Sequence, residues 1–196
     1  MIKFKIIVAG CKNAGKTSLI RRYATGKFDV STLSTIGVDF ETKKVLVDGN
    51  EILLNIWDFA GEKKFRLLLP SYVSGASGAL ILYDITNHDS LKDLHDWMKV
   101  IDSVPNSPKT KLLIEAKTDL EDQREVTTED AQKVFEKYNF QGQIIGTSAK
   151  TGMNVEKVFE SLGREILNTS LKKCPNCGQF YPMELKFCQY CGQRTM

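Results

Sequence analysis

Apolar residues along the chain fall into short runs that alternate with amphipathic stretches. Residues 3–9 form a strand-like run, 16–25 read as a helix, and 40–47 and 51–58 flank Asp48-Gly49, a strong hairpin-turn signal. An apolar run at 79–83 follows, then a helical segment near 90–101 and a loop marked by Pro105 and Pro108. Beyond it lie an apolar run at 112–115, a helix near 128–138, a strand at 143–147 and a helix near 155–167. Strands alternating with helices predict the α/β class: a mostly parallel sheet covered by helices on both faces, with one antiparallel edge supplied by the hairpin. Ligands of such sheets bind at the carboxyl ends of the strands, so chemistry is expected in loops 10–15, 58–62, 116–119 and 147–150.

The first of those loops carries the sharpest signal. Gly10-Cys11-Lys12-Asn13-Ala14-Gly15-Lys16-Thr17 satisfies G-x-x-x-x-G-K-[ST] between a strand and a helix that continues with Ser18. Glycines at both ends let the backbone wrap an anion, and the turn's N–H groups point inward with a helix N-terminus behind them. Lys16 adds a positive charge for the β- and γ-phosphates, and the Thr17 hydroxyl is placed to hold Mg²⁺. The plain alternative is a glycine-containing turn without a ligand. The strand before it and the helix after it favour nucleotide-phosphate binding.

Composition changes this picture only at the margins. With 196 residues, 42% hydrophobic and 26% charged, the chain can bury one ordinary core and carry an appendage. A formal net charge of +3 is too small to make nucleic acid the main partner, although it leaves room for a local basic patch. The start, Met1-Ile2-Lys3-Phe4-Lys5, has no apolar leader core and no glycine for myristoylation, and no run approaches the ~18 apolar residues of a membrane span. A soluble, cytoplasmic monomer is expected. His88 and His95 lie in or near a polar-faced helix and read as surface residues.

Further loops sharpen the assignment. Thr35-Ile36-Gly37-Val38-Asp39-Phe40, Trp57-Asp58-Phe59-Ala60-Gly61-Glu62-Lys63-Lys64-Phe65, Ala116-Lys117-Thr118-Asp119 and Ser148-Ala149-Lys150 follow the phosphate loop in that order. Together they make the chain, from about residue 3 to 167, resemble the Ras superfamily of small GTPases, most closely its Rab branch. The resemblance implies a P-loop NTPase fold of six strands and five helices that binds GTP and GDP with Mg²⁺ and works as a molecular switch, docking protein effectors through residues 35–40 and 62–72 and served by activating or exchange factors.

The same resemblance assigns roles residue by residue. Phosphate contacts fall to Gly10, Lys12, Asn13, Ala14, Gly15, Lys16, Thr17 and Ser18. Thr17, Thr35 and Asp58 are the expected Mg²⁺ set, and the Gly61 N–H is expected to bond the γ-phosphate, so that both loops close only when that group is present. Hydrolysis would rest on Lys16, Thr35, Gly61 and Glu62. Phe28, seven residues before Thr35, is either the ring that packs on guanine or an ordinary core phenylalanine. Asp119 can accept from guanine N1–H and the N2 amino group at once, a donor pair that adenine lacks. Lys117 can lay its methylene stem over the base, and Leu120, Ser148, the Ala149 N–H and Lys150 complete the base site.

Three positions depart from the family. Ala116 stands where relatives carry an Asn whose amide ties this loop to the phosphate loop, which predicts retained guanine selectivity with lower affinity or faster exchange. Glu62 replaces a Gln that orients the attacking water; a carboxylate can take a proton from water but, when ionised, donates nothing to the γ-phosphate. Lys12 replaces a small residue, and either crowds the site, pairs with Glu62 or a phosphate oxygen as an internal cation, or is a solvated surface lysine. Slow intrinsic hydrolysis is the expectation.

The C-terminal stretch carries a second signal. Cys174-Pro175-Asn176-Cys177-Gly178 and Cys188-Gln189-Tyr190-Cys191-Gly192 are two near-identical knuckles matching the Cys-x-x-Cys pairs of zinc ribbons. Each tight turn brings two thiolates to one metal, and the following Gly admits the positive φ that frees N–H groups to bond sulfur. Four thiolates predict a closed, structural Zn²⁺ site; disulfides or a redox pair are the alternative. The segment 179–187 is long enough for a hairpin whose aromatics cover the metal, and the metal supplies the folding energy. The expected division is a GTPase domain at 1–170 and a ribbon at 171–196. The chain ends Gln193-Arg194-Thr195-Met196 without a prenylation box, so lipid anchoring by that route is not expected. Lys172, Lys173, Lys186 and Arg194 against Glu184 make the ribbon mildly basic, which admits contact with RNA or an anionic membrane surface, but a protein-docking or stabilising module is the plainer reading. Three functions stay open: a hydrolysing switch, a GTP-binding scaffold with negligible turnover, and a ribbon-led nucleic-acid-binding protein regulated by nucleotide.

Overall fold

A computed structural model describes residues 2–29, 35–62, 65 and 68–194. Of the sequence assignments above, Lys63, Lys64 and residues 66–67 of the second effector-facing segment lie outside the described residues. The main body is a six-stranded sheet in the order β2-β3-β1-β4-β5-β6. Its strands are β1 (Ile2–Gly10), β2 (Val38–Val47), β3 (Asn50–Phe59), β4 (Gly78–Asp84), β5 (Thr110–Ala116) and β6 (Ile145–Thr147). All neighbours are parallel except the β2–β3 hairpin at one edge. Its turn residues Asp48 and Gly49 both take positive φ, the pair of conformations a two-residue hairpin needs.

Alternation along the strands divides the core between the two faces. Ile6, Val8, Leu54, Ile56, Leu80 and Leu82 point to one side and pack under α1 (Lys16–Thr25) and α5 (Val155–Ser170). Between these helices Tyr23 stacks on Phe159 with ring centroids 3.9 Å apart. Ile7, Ala9, Ala79, Ile81 and Tyr83 point to the other side, under α2 (Leu69–Val73), α3 (His88–Ser103) and α4 (Thr128–Lys137). Trp97 and Met98 of α3 fill that layer completely buried. Gly78 at the start of β4 lets α5 approach closely, since a Cβ there would lie 2.7 Å from Ile166 Cδ1. Side chains cap two helices at their N-termini: Asn87 accepts from the Asp89 N–H and Thr127 from the Asp130 N–H.

Helix α5 runs straight into a second, two-stranded sheet, β7 (Leu171–Lys173) antiparallel to β8 (Phe180–Pro182). The expected hairpin within 179–187 takes a different form, because β8 pairs back onto the three residues before the first cysteine knuckle. Pro182 lacks an N–H and ends that strand. Tyr181 is buried against Cys174 and Cys188, whereas Phe180 and Leu171 pack on the main core beside Ile2. Phe187 makes an isolated bridge to Arg194 and stays exposed.

Candidate functional site

Loops at the carboxyl ends of β1, β3, β5 and β6 converge on two adjoining cavities. The first, about 260 Å³, is lined by Lys12, Asn13, Gly15, Lys16, Thr17, Ser18, Phe28, Thr35, Gly61, Glu62 and Lys117 among others. The second, about 200 Å³, is lined by Gly15, Ser18, Phe28, Ala116, Lys117, Asp119, Leu120, Ala149 and Lys150 among others. They share Gly15, Ser18, Phe28 and Lys117, so one elongated ligand can reach from a polar end to a more apolar end.

The polar end is built on the phosphate loop. Gly10 leaves β1 at φ +143, and a Cβ there would run into the Leu82 carbonyl of β4. Gly15 takes φ +89 as the residue that opens α1. Lys16 is 5% exposed, and its Nζ donates to the Gly10 and Cys11 carbonyls at 2.9 and 2.7 Å, so its ammonium is held across the loop's concave side. Ala14 is fully buried beneath the loop.

Three oxygen-bearing side chains from three separate segments meet beside it. Thr17 Oγ1 lies 2.7 Å from Thr35 Oγ1 and donates to Asp58 Oδ2 at 2.5 Å. Asp58 is 4% exposed, and its other oxygen, Oδ1, is buried with no hydrogen-bond partner. Burial pushes the Asp58 carboxyl above its usual range, partly offset by the Thr17 hydroxyl and the Lys16 charge. A buried carboxylate with an idle oxygen next to two hydroxyls is a donor set for a hard divalent cation, so the residues present fit Mg²⁺.

Gly61 follows in the same turn, pressed against the phosphate loop: a Cβ there would collide with Lys12 N and the Cys11 carbonyl. Beside it, Lys12 Nζ and Glu62 Oε1 form an ion pair at 3.1 Å. The Lys12 side chain is half exposed while it makes this pair.

The more apolar end is set by the β5 and β6 loops. Ser148, fully buried, donates to Asp119 Oδ1 at 2.6 Å, and Lys150 Nζ lies 3.9 Å from Oδ2. Phe28 is half-buried and borders both cavities. Ala116 sits against the phosphate loop, its Cβ 3.9 Å from where a Cβ on Gly15 would lie. An interaction not foreseen is the ion pair between Lys117 Nζ and Asp84 Oδ2 at 2.5 Å. Its one sequence signal is an acid closing the apolar run Ile81-Leu82-Tyr83-Asp84.

Comparison with known proteins agrees with this geometry. The Ras family model matches residues 5–168. The chain belongs to the Ras family. It is 38% identical over 164 residues to the Ras-related protein Rab-13 of Mesocricetus auratus, covering 84% of this chain and 80% of that one. It is 34% identical over 185 residues to the human Ras-related protein Rab-8B, covering 93% and 88%. As a Rab-like member of the Ras family, the protein is a GTP-binding molecular switch that hydrolyses GTP to GDP. The family binds GTP and GDP with Mg²⁺. Among the described residues no helix is long and apolar enough to cross a membrane.

This Ras-family chain also gathers Cys174, Cys177, Cys188 and Cys191, whose sulfurs all lie within 4.8 Å of one another. Cys174 and Cys191 sulfurs are 3.6 Å apart, as are those of Cys177 and Cys188. That is far beyond a disulfide bond of ~2.05 Å and close to the edge, about 3.8 Å, of a thiolate tetrahedron around Zn²⁺. The two knuckles repeat each other in detail. Gly178 N donates to the Cys174 carbonyl and Gly192 N to that of Cys188, each at 2.9 Å, with both glycines at φ above +70. The Gln193 N–H and the Asn176 amide bring the Cys191 thiol down to about 6. The Gln179 N–H likewise pulls on Cys177, but burial and the other three sulfurs outweigh it and leave that thiol up at about 12.

Proposed function

We propose that this GTPase selects guanine through Asp119, binds it less tightly than an Asn at position 116 would permit, and turns GTP over slowly on its own. The observation carrying this reading is the convergence of Thr17, Thr35 and the idle Asp58 oxygen beside a lysine-filled phosphate loop, with the Asp119 cavity adjoining. Gly10, Asn13, Ala14, Gly15, Lys16, Thr17 and Ser18 hold the phosphates by backbone N–H groups and one ammonium. Thr17, Thr35 and Asp58 would hold Mg²⁺, which neutralises charge on the β- and γ-phosphates. Phe28 and the Lys117 stem flank the base, Leu120 closes its far side, and Ser148 fixes the Asp119 carboxylate so that both oxygens can face the purine edge.

Hydrolysis depends on how residues 61 and 62 meet the γ-phosphate. Gly61 offers its N–H only because it has no side chain, so Gly61→Ala is expected to displace this turn and slow single-turnover GTP hydrolysis by about 10²-fold, the usual cost of one lost transition-state donor. GDP affinity should change little. Glu62, held by Lys12, orients water poorly and donates no hydrogen bond, while Lys12 occupies the path by which an activating partner would insert a cation. Single-turnover rates of Glu62→Gln and Lys12→Gly should both rise; unchanged rates in the two variants would remove these residues from the mechanism.

Residues 1–170 form the GTPase unit in this reading, and 171–196 a ribbon closed by a structural Zn²⁺ on the four cysteines. Effectors are expected to meet residues 35–40 and 62–72.

A further inference from the structure

We propose that Asp84 is a positioning residue for the purine site, fastening Lys117 in place of the amide tie that Ala116 lacks. The inference rests on the reading above that Lys117 and Asp119 hold the base. Asp84 and Ala116 are direct partners at the carboxyl ends of neighbouring strands, so the acid closes β4 at the point where the base loop leaves β5. Backbone joins the two ends there, since Ile85 N donates to the Ala116 carbonyl at 3.2 Å.

Three features give the Asp84 side chain one task. It is buried, at 6% exposure. Its Oδ1 is already engaged by the Thr86 N–H and hydroxyl, at 2.9 and 2.8 Å, which fixes the carboxylate's orientation. Its Oδ2 is left to meet Lys117 Nζ at 2.5 Å. Lys117 itself sits at φ +64, a left-handed conformation that an L side chain adopts only when its surroundings hold it. It is also one of four residues bordering both cavities, so whatever fixes it fixes the junction between phosphates and base.

No polar group at position 116 helps. Across from Gly15 the loop presents the Ala116 methyl, the one atom within 4 Å of where a Cβ on Gly15 would lie. Asp119 is anchored separately, through Ser148 on the β6 loop. The ion pair to β4 is therefore the side-chain tie at the lysine end of the loop.

A double-mutant cycle tests this. Release of fluorescently labelled GDP, chased with excess unlabelled GDP at fixed Mg²⁺, is measured for the full chain, for Asp84→Asn, for Ala116→Asn and for the double variant. Asn at 84 keeps the bonds from Thr86 but gives up the charge that attracts Lys117. Asp84→Asn should speed release about tenfold or more in the native background, as expected for losing a charged hydrogen bond. With Asn at 116, which can make its own tie to the phosphate loop, the same change should speed release by about twofold or less. Lys117→Met, which keeps the stem and removes the ammonium, should reproduce the cycle and serves if Asp84→Asn does not fold. Accelerations within about twofold of one another in the two backgrounds would overturn the proposal, because a purely structural carboxylate adds independently of residue 116. Equal affinity of the unaltered chain for ATP and GDP would instead strike the base-site reading itself.

Discussion

Asp119→Asn is expected to abolish tight GDP binding and to create a preference for xanthine nucleotides. Guanine offers two donors side by side, N1–H and the N2 amino group, and only a carboxylate accepts from both. An Asn amide accepts one and turns its own NH₂ against the other, leaving a donor unpaired inside a closed site. Xanthine carries an oxygen in place of the amino group and so pairs with the Asn oxygen and NH₂ together. The Ser148 hydroxyl, 2.6 Å from Oδ1, can donate to the Asn oxygen as it does to the carboxylate, so the new side chain should keep its orientation. A loss of GDP affinity on the order of 10³-fold is expected, in line with sites built to hydrogen-bond a specific group. Competition titrations with GDP, xanthosine diphosphate and ADP measure it. A variant that still prefers GDP would show that Asp119 does not read the base.

Removing metal from the cysteine cluster should have the other large effect, confined to one end of the molecule. With four sulfurs gathered around so small a hydrophobic cluster as Tyr181 and two cysteines, little else holds the ribbon shut. Strong chelation, or Cys188→Ser, is expected to make residues 171–194 susceptible to proteolysis and to free Phe180 and Leu171 from the main core. Losing that contact withdraws about 1–2 kcal/mol of apolar burial, which lowers the melting temperature of the rest by about 5 °C. Guanine-nucleotide affinity should persist. The ribbon borders Ile2, Gly49 and Asn50, at the ends of the strands away from Gly10, Asp58 and Ala116. Zinc content by elemental analysis, a proteolysis time course and labelled-GDP binding read the three outcomes. A metal-free chain whose tail stays protected would mean that the cysteines are not what closes it.

The phosphate loop, the strand order of motifs and both cysteine knuckles were legible because each is local. A glycine that must turn, a lysine and a threonine at fixed offsets, or two cysteines three residues apart carry their geometry within a single turn of chain. Ten of the main-body elements followed from periodicity for the same reason. Helix α2 did not, since its five residues, Leu69–Val73, are too few to display a repeat of 3.6. Strand β8 fell inside a segment expected to fold on itself, but its partner proved to be β7, whose three residues merely continue the line of α5. Short strands take whichever free edge tertiary packing leaves beside them.

Taken alone, the amino-acid order determined the α/β class, the nucleotide-binding loops and the sulfur ligand set, all of them patterns written within a few residues or in a fixed succession along the chain. Only the folded molecule decided that Lys12 meets Glu62 across 50 positions, that Asp84 holds Lys117 across 33, and that Thr17, Thr35 and Asp58 share one point with an oxygen to spare. Pairings of that kind depend on which strand lies beside which and on the depth at which each charge is buried, and neither quantity exists until the sheet has closed.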